Sequence, residues 1–253
     1  MIKFDNVTKT LGGKAVLAGL SFEIKKGETF VIVGPSGTGK SVTLKHMVRL
    51  LTPDEGDVYV DGENISTASG HELEHLRERF GYLFQGGALL AWMSIAENVA
   101  LPLLEKTDMA CEKIDERVHN VLEMVGLADD ANKQPSEISG GMRKRAGLAR
   151  AIVRDPDIVL YDEPTSGLDP VTARTIDSLI ERMQQETNIT SVVVTHDLHS
   201  ALSIGNRIAL LQGGNFLQVG TAEDFLNSEN EEVQAFLESQ FITKRGSWER
   251  KQK

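Results

Sequence analysis

The chain has 253 residues, with 27 Lys and Arg against 37 Asp and Glu for a formal charge of −10, and 40% apolar and 25% charged positions, an ordinary globular composition that excludes wholesale disorder. The acidic balance argues against nonspecific nucleic-acid binding, and the longest apolar run, Ala88 to Met93, is far short of the roughly 18 residues a membrane span needs. Met1-Ile-Lys-Phe-Asp5 has no secretory-signal pattern, and the single cysteine, Cys111, permits no intrachain disulfide and fits a reducing compartment.

Ile2 to Glu23 alternates and is interrupted at Gly12-Gly13, which predicts an antiparallel β-hairpin region. Thr29 to Val33 is a continuous β-branched and apolar run ending in glycine, the pattern of a buried central strand. Gly39 to Leu51 has helical periodicity and stops before Pro53, and Val58 to Gly62 reads as a strand closing on a turn. A polar helix is expected over Ser69 to Arg79, then a short strand, Gly81 to Phe84. Residues 93–153 read as a helical insertion, best supported over Asp115 to Val125 and Gly140 to Val153. Strand and helix then alternate through Ile158 to Tyr161, Val171 to Glu186, Ser191 to Thr195 and Leu198 to Ile204. That order predicts an α/β fold with a mostly parallel, doubly wound sheet. Asn206 to Gln212 and Asn215 to Val219 flank Gly213-Gly214 as a late hairpin, and Ala222 to Ser239 is expected to be helical. Thr243 to Lys253 carries five basic residues and one acid and reads as a solvated end.

Gly34-Pro35-Ser36-Gly37-Thr38-Gly39-Lys40-Ser41 fits the eight-position pattern of a phosphate-binding loop, with the required strand before it and helix after it. Small glycines let consecutive backbone N–H groups point into one concavity, and the helix start adds a positive end. Lys40 is expected to neutralise the β- and γ-phosphates, and the Ser41 hydroxyl to hold Mg²⁺. A loop that binds phosphate does not by itself hydrolyse it. Ile158 to Glu163 supplies the second part, an apolar strand ending in two carboxylates where the carboxyl edge of a parallel sheet opens onto its ligand. Asp162 is assigned to the Mg²⁺ shell and Glu163 to polarising the attacking water. His196, after the strand Ser191 to Val194, can donate a hydrogen bond to the γ-phosphate, and Gln85 ends the strand Gly81 to Phe84.

Ser139-Gly140-Gly141-Met142 opens the basic helix Arg143 to Ile152 and offers a second anion-receiving helix end. A single phosphate-loop enzyme needs only one such end, so two imply two chains. The sequence here resembles the nucleotide-binding subunits of ATP-binding cassette (ABC) transporters, over residues 1 to about 240. The resemblance rests on Gly34 to Ser41 (Walker A), Gln85 (Q-loop), Ser139 to Met142 (signature), Ile158 to Glu163 (Walker B), Ser166 to Asp169 (D-loop) and His196 (H-loop), all in family order.

The resemblance implies a P-loop NTPase ABC cassette over residues 1–240, with an N-terminal antiparallel β subdomain and the helical insertion at 93–153, followed by the tail 241–253. It implies an ATPase acting as a head-to-tail homodimer that sandwiches two ATP molecules. Gly34 to Val42 of one chain and Ser139, Gly140, Gly141 and Asp169 would contact nucleotide; Ser41, Gln85 and Asp162 would hold Mg²⁺; Glu163, His196 and Gln85 would serve hydrolysis. Three departures stand out. No aromatic lies between Asp5 and Ser21 to stack on adenine, with Lys9 or Leu11 in the expected place; Val42 replaces a hydroxyl residue; and Ile138 and Met142 flank the intact signature core. Together with Leu83 to Leu90 and Glu97 to Pro102, these departures resemble the cassettes of Mla-type phospholipid transport. That subgroup implies a peripheral place on the cytoplasmic face of the inner membrane, integral membrane permease subunits, a membrane-anchored lipid-binding protein and a small cytosolic regulatory subunit. A small-solute importer is the alternative, and Gly86 to Leu104 is the expected permease-contacting surface.

His71-Glu-Leu-Glu-His75 fits the zinc metalloprotease pattern. Its flanks, Ser69-Gly70 and Leu76 to Arg79, describe instead a charged helix facing solvent. The Asn-Lys-x-Asp element of GTPases does not occur.

Overall fold

The computed structural model describes residues 1–240 and 242; most of the basic tail lies outside the described residues. In chain order the elements are β1 (Ile2–Leu11), β2 (Lys14–Ile24), β3 (Thr29–Val33), α1 (Lys40–Met47), β4 (Glu55–Val60), β5 (Glu63–Asn64), α2 (Gly70–Glu78), β6 (Phe80–Leu83), α3 (Ile95–Lys106), α4 (Cys111–Met124), α5 (Gly140–Ile152), β7 (Ile158–Asp162), α6 (Pro170–Thr187), β8 (Thr190–Thr195), α7 (Leu198–Ile204), β9 (Arg207–Gln212), β10 (Asn215–Gly220), α8 (Ala222–Leu226) and α9 (Glu231–Ser239). The described residues form two compact units, residues 1–67 together with 194–240 and 242, and residues 68–193.

In the first unit, β2-β1-β4-β5 form an antiparallel sheet, β3 runs parallel to β9, and β10 closes antiparallel on β9. All five residues of β3 are buried, as its unbroken apolar run requires. The core is aromatic. Phe4 and Phe22 stack with centroids 4.6 Å apart, Phe22 and Phe30 stack at 5.6 Å, and Phe216 meets Phe22 edge-on at 4.9 Å.

In the second unit, β6 runs parallel to β7, and all five residues of β7 are buried. The helical insertion is present as α3, α4 and α5. α3 begins with a capping box, in which Glu97 N donates to Ser94 Oγ at 3.2 Å and Ser94 N donates to the Glu97 carboxylate at 2.7 Å. Gly147 lets α5 press against the segment after β6: a Cβ there would lie 2.9 Å from Leu83 Cδ1 and 3.0 Å from Gly87 Cα.

Three expectations need correction. The helix expected over Ala222 to Ser239 is two helices, because Asn230 accepts from Glu232 N and Val233 N at 2.9 and 3.3 Å and starts α9 anew, while Ser228 is drawn inward to bond Gln218. α4 begins at Cys111, four residues before the periodicity shows, because its first turn is exposed and its buried stripe starts at Ile114. α1 stops at Met47, and the two-residue strand β5 was not foreseen.

Candidate functional site

The first unit carries the phosphate loop. β3 ends at Gly34, and the chain turns into α1 through Gly39, whose φ of +105° is open to glycine alone at low cost. A Cβ at Gly39 would also sit 2.8 Å from Val16 Cγ1 and 3.0 Å from the Val16 carbonyl. Lys40 is buried and its Nζ donates to the carbonyls of Gly34 and Pro35 at 2.9 and 3.1 Å, while Thr38 Oγ1 donates to Pro35 O at 2.9 Å. Beside the loop lies a pocket of about 280 Å³ lined by Leu11, Val16 and residues of the Gly37 to Val42 segment. Of the two residues expected where an aromatic usually stands, Leu11 lines this pocket, whereas Lys9 is turned away into an ion pair with Asp54 at 2.6 Å. His196 is exposed at the corner between β8 and α7. That corner is fixed by Asp197, whose carboxylate accepts from His199 N at 2.9 Å and Ser200 N at 3.2 Å.

The second unit carries the carboxylates. Asp162 ends β7 and Glu163 follows it, and both are buried. The Tyr82 hydroxyl donates to Asp162 Oδ2 at 3.5 Å, and burial beside that carboxylate pushes the phenol pKa up. Glu163 adopts a left-handed backbone, φ +50°, which costs a non-glycine residue about 1–2 kcal/mol. Its carbonyl accepts from Lys144 Nζ at 2.8 Å, Ser166 Oγ at 3.0 Å and Ser166 N at 3.3 Å.

In the same unit, Ser139 caps α5 by accepting from Met142 N at 3.2 Å and is exposed, so the helix start faces outward at Ser139, while Gly140 is half-buried and Gly141 is buried. Arg143 braces the approach, donating to Ile138 O at 2.7 Å. Asp169 caps α6, accepting from Thr172 Oγ1 at 2.6 Å and from the Val171 and Thr172 amides at 3.0 and 3.1 Å. The Thr172 hydroxyl and these amides hold its carboxyl below the usual aspartate range. Gln85 is exposed.

Two clamps that the sequence did not reveal shape the chain after Gln85. Arg150 donates to Gly87 O and Ala88 O, both at 2.8 Å. Asn98, fully buried, donates to Leu90 O, Met93 O and Ser94 O at 2.9 to 3.1 Å and accepts from Leu90 N at 2.7 Å. The segment Gly86 to Leu104 is therefore divided: Ile95, Val99 and Leu103 are core, while Trp92 is 74% and Leu104 57% exposed. His71 and His75 are exposed on α2, where Glu74 pairs with Lys106 at 2.6 Å. Among the described residues no helix is long and apolar enough to cross a membrane.

The family pattern described as ABC transporter matches residues 17–166, which spans the phosphate loop and reaches past both carboxylates. The chain belongs to the ABC transporter family. The cassette is 41% identical over 250 residues to a probable ribonucleotide transport ATP-binding protein, Mkl, of Mycobacterium leprae, covering 99% of this chain and 72% of that one. It is 40% identical over 240 residues to the intermembrane phospholipid transport system ATP-binding protein MlaF of Haemophilus influenzae, covering 95% and 91% of the two chains. Among solved structures, the dimeric post-hydrolysis state of the ATP-binding cassette MJ0796 bound to ADP and Pi matches with a TM-score of 0.81 at 36% identity, over 88% of this chain and 99% of that chain. The cassette is an ATP-binding, ATP-hydrolysing subunit of α/β fold, with the N-terminal antiparallel sheet and mixed second sheet of that family.

Proposed function

We propose that this cassette works as a head-to-tail homodimer whose ATP-driven closure powers phospholipid transport through integral membrane permease subunits. The observation that carries the homodimer is the outward-facing start of α5 at Ser139: a capped helix end with two glycines, in a chain that already has one phosphate loop. Lys40 then exchanges two neutral carbonyl acceptors for anionic phosphate oxygens, adding charge–charge attraction to bonds that its ammonium already makes. The N–H groups of the Gly34 to Val42 segment other than Pro35 cradle the phosphates, Pro35, Ser36, Gly37 and Thr38 shape the loop, and the partner copy's Ser139, Gly140 and Gly141 close on the γ-phosphate, with Asp169 beside them. Glu163 orients the attacking water, His196 donates to the γ-phosphate, and Gln85 reports its presence. Ser41, Asp162 and Gln85 offer hydroxyl, carboxylate and amide oxygens, the hard donor set that suits Mg²⁺. When bound, the ion supplies charge neutralisation between the β- and γ-phosphates.

The phospholipid reading is supported by the near full-length match, in both directions, to the phospholipid-transport relative. It implies a peripheral place on the inner face of the inner membrane, with a membrane-anchored lipid-binding protein and a small cytosolic regulatory subunit. Import of a small solute is the second reading, favoured by the likeness to a methionine import ATP-binding protein, MetN 1, of Pseudomonas syringae, 37% identical over 243 residues and covering 94% of this chain and 72% of that one. Purification of the chain from detergent-solubilised native membranes, with mass spectrometry of what accompanies it, separates the two. A polytopic protein together with a lipid-binding subunit is expected, and a polytopic protein with a soluble-solute receptor contradicts the phospholipid reading.

A further inference from the structure

Lys144 stands one turn into α5, the helix that Ser139 and the two glycines begin, and it is only 6% exposed. Its ammonium has three donors. Three oxygens meet it: the Glu163 carbonyl at 2.8 Å, the Ser166 carbonyl at 2.7 Å and Ser166 Oγ at 3.1 Å. Ser166 Oγ in turn donates to the Glu163 carbonyl at 3.0 Å, so Lys144, Glu163 and Ser166 close a ring of hydrogen bonds. Burial pushes the lysine pKa down to about 8, opposed by the Glu163 charge, so the cation is held there at a cost. A methionine of similar length would fill the space without that cost. What it could not do is donate to the carbonyl of a residue held at φ +50°.

We propose that Lys144 is a positioning residue for hydrolysis, fixing the strained backbone of Glu163 so that its carboxylate is aimed, and tying that aim to the helix that begins at Ser139. The inference rests on the reading of Glu163 as the group that orients water. Through this link, a displacement of α5 at its phosphate-facing end is transmitted to Glu163 by a rigid, fully matched set of bonds. A shift of about 1 Å in such a group is enough to cost on the order of a hundredfold in rate.

The test is steady-state hydrolysis of MgATP by the full-length chain, with ATP binding measured in parallel, for the native protein and for Lys144→Met, Lys144→Arg, Ser166→Ala and Glu163→Gln. Lys144→Met should lower kcat tenfold or more with KM for ATP within twofold, and Lys144→Arg, which keeps charge and donors, should recover most of the loss. Ser166→Ala, a milder change, should lower kcat two- to fivefold, and it alone decides if Lys144→Met does not accumulate as folded protein. Native kcat in Lys144→Met, equal losses in the Met and Arg variants, or native kcat in Ser166→Ala would overturn the proposal. Loss of turnover in Glu163→Gln beside a fully active Lys144→Met refutes this inference alone, whereas native turnover in Glu163→Gln removes the reading beneath it as well.

Discussion

Replacing Leu11 with tryptophan should tighten ATP binding about 2- to 20-fold. Leu11 lines the pocket beside the phosphate loop and is 40% exposed, so a base laid against it covers the remaining apolar surface. Full burial of a leucine is worth about 1.5–3 kcal/mol, and two-fifths of that is about 0.6–1.2 kcal/mol. An aromatic ring stacking on a base is worth about 1–3 kcal/mol. The difference, about 0.4–1.8 kcal/mol, converts at about 1.4 kcal/mol per decade to the range given. Calorimetric titration of the Leu11→Trp variant with ATP and with inorganic tripolyphosphate makes the comparison, since the second ligand has phosphates and no base. The expected result is a lower Kd for ATP and an unchanged Kd for tripolyphosphate. An unchanged or weaker ATP affinity, or equal shifts for both ligands, would show that the base lies elsewhere.

Gly147→Val should destabilise the chain by about 1–3 kcal/mol through overpacking against Leu83 and the Gly87 backbone, lowering Tm by roughly 2–12 °C in a thermal melt. An unchanged Tm would mean that α5 and the segment after β6 separate freely. His46, buried in α1 with its Nδ1 donating to Val42 O at 2.7 Å, has its pKa pushed down by burial, with the nearby Lys9 charge adding to the effect. The folded form therefore binds fewer protons than the unfolded one, and this group's contribution is lost as pH falls below about 6.5. His46→Gln should flatten the fall of Tm between about pH 7 and pH 5, and parallel curves for the two proteins would contradict the burial argument.

What the sequence made legible was whatever is encoded locally. The phosphate loop announces itself because glycines at fixed spacing set their own backbone, and a helix start at Ser139 or Asp169 is written in the capping residue. The buried strands β3 and β7 were readable from unbroken apolar runs. Lys144, Arg150 and Asn98 were not. Each acts on backbone carbonyls, Lys144 across 19 and 22 positions and Arg150 across 62 and 63. Every residue carries a carbonyl, so the acceptor leaves no mark in the sequence, and the donors look like ordinary members of a basic or amphipathic helix. The break between α8 and α9 was not hidden in that way: the polar run Asn227 to Asn230 carries no apolar residue and ends in the capping residue Asn230, a local signal that the reading of one continuous helix passed over. The aromatic missing near Leu11 was visible, but only the ion pair of Lys9 with Asp54 decides which of the two neighbours faces the pocket.

Everything proposed for this cassette depends on ATP holding two copies together until it is cleaved, and sedimentation of the Glu163→Gln chain with saturating MgATP reads that most directly. A stable dimer that dissociates when ATP is removed, and that does not form with Lys40→Ala, is the predicted result. A Glu163→Gln chain that stays monomeric in MgATP, or that turns ATP over at the native rate, would contradict it.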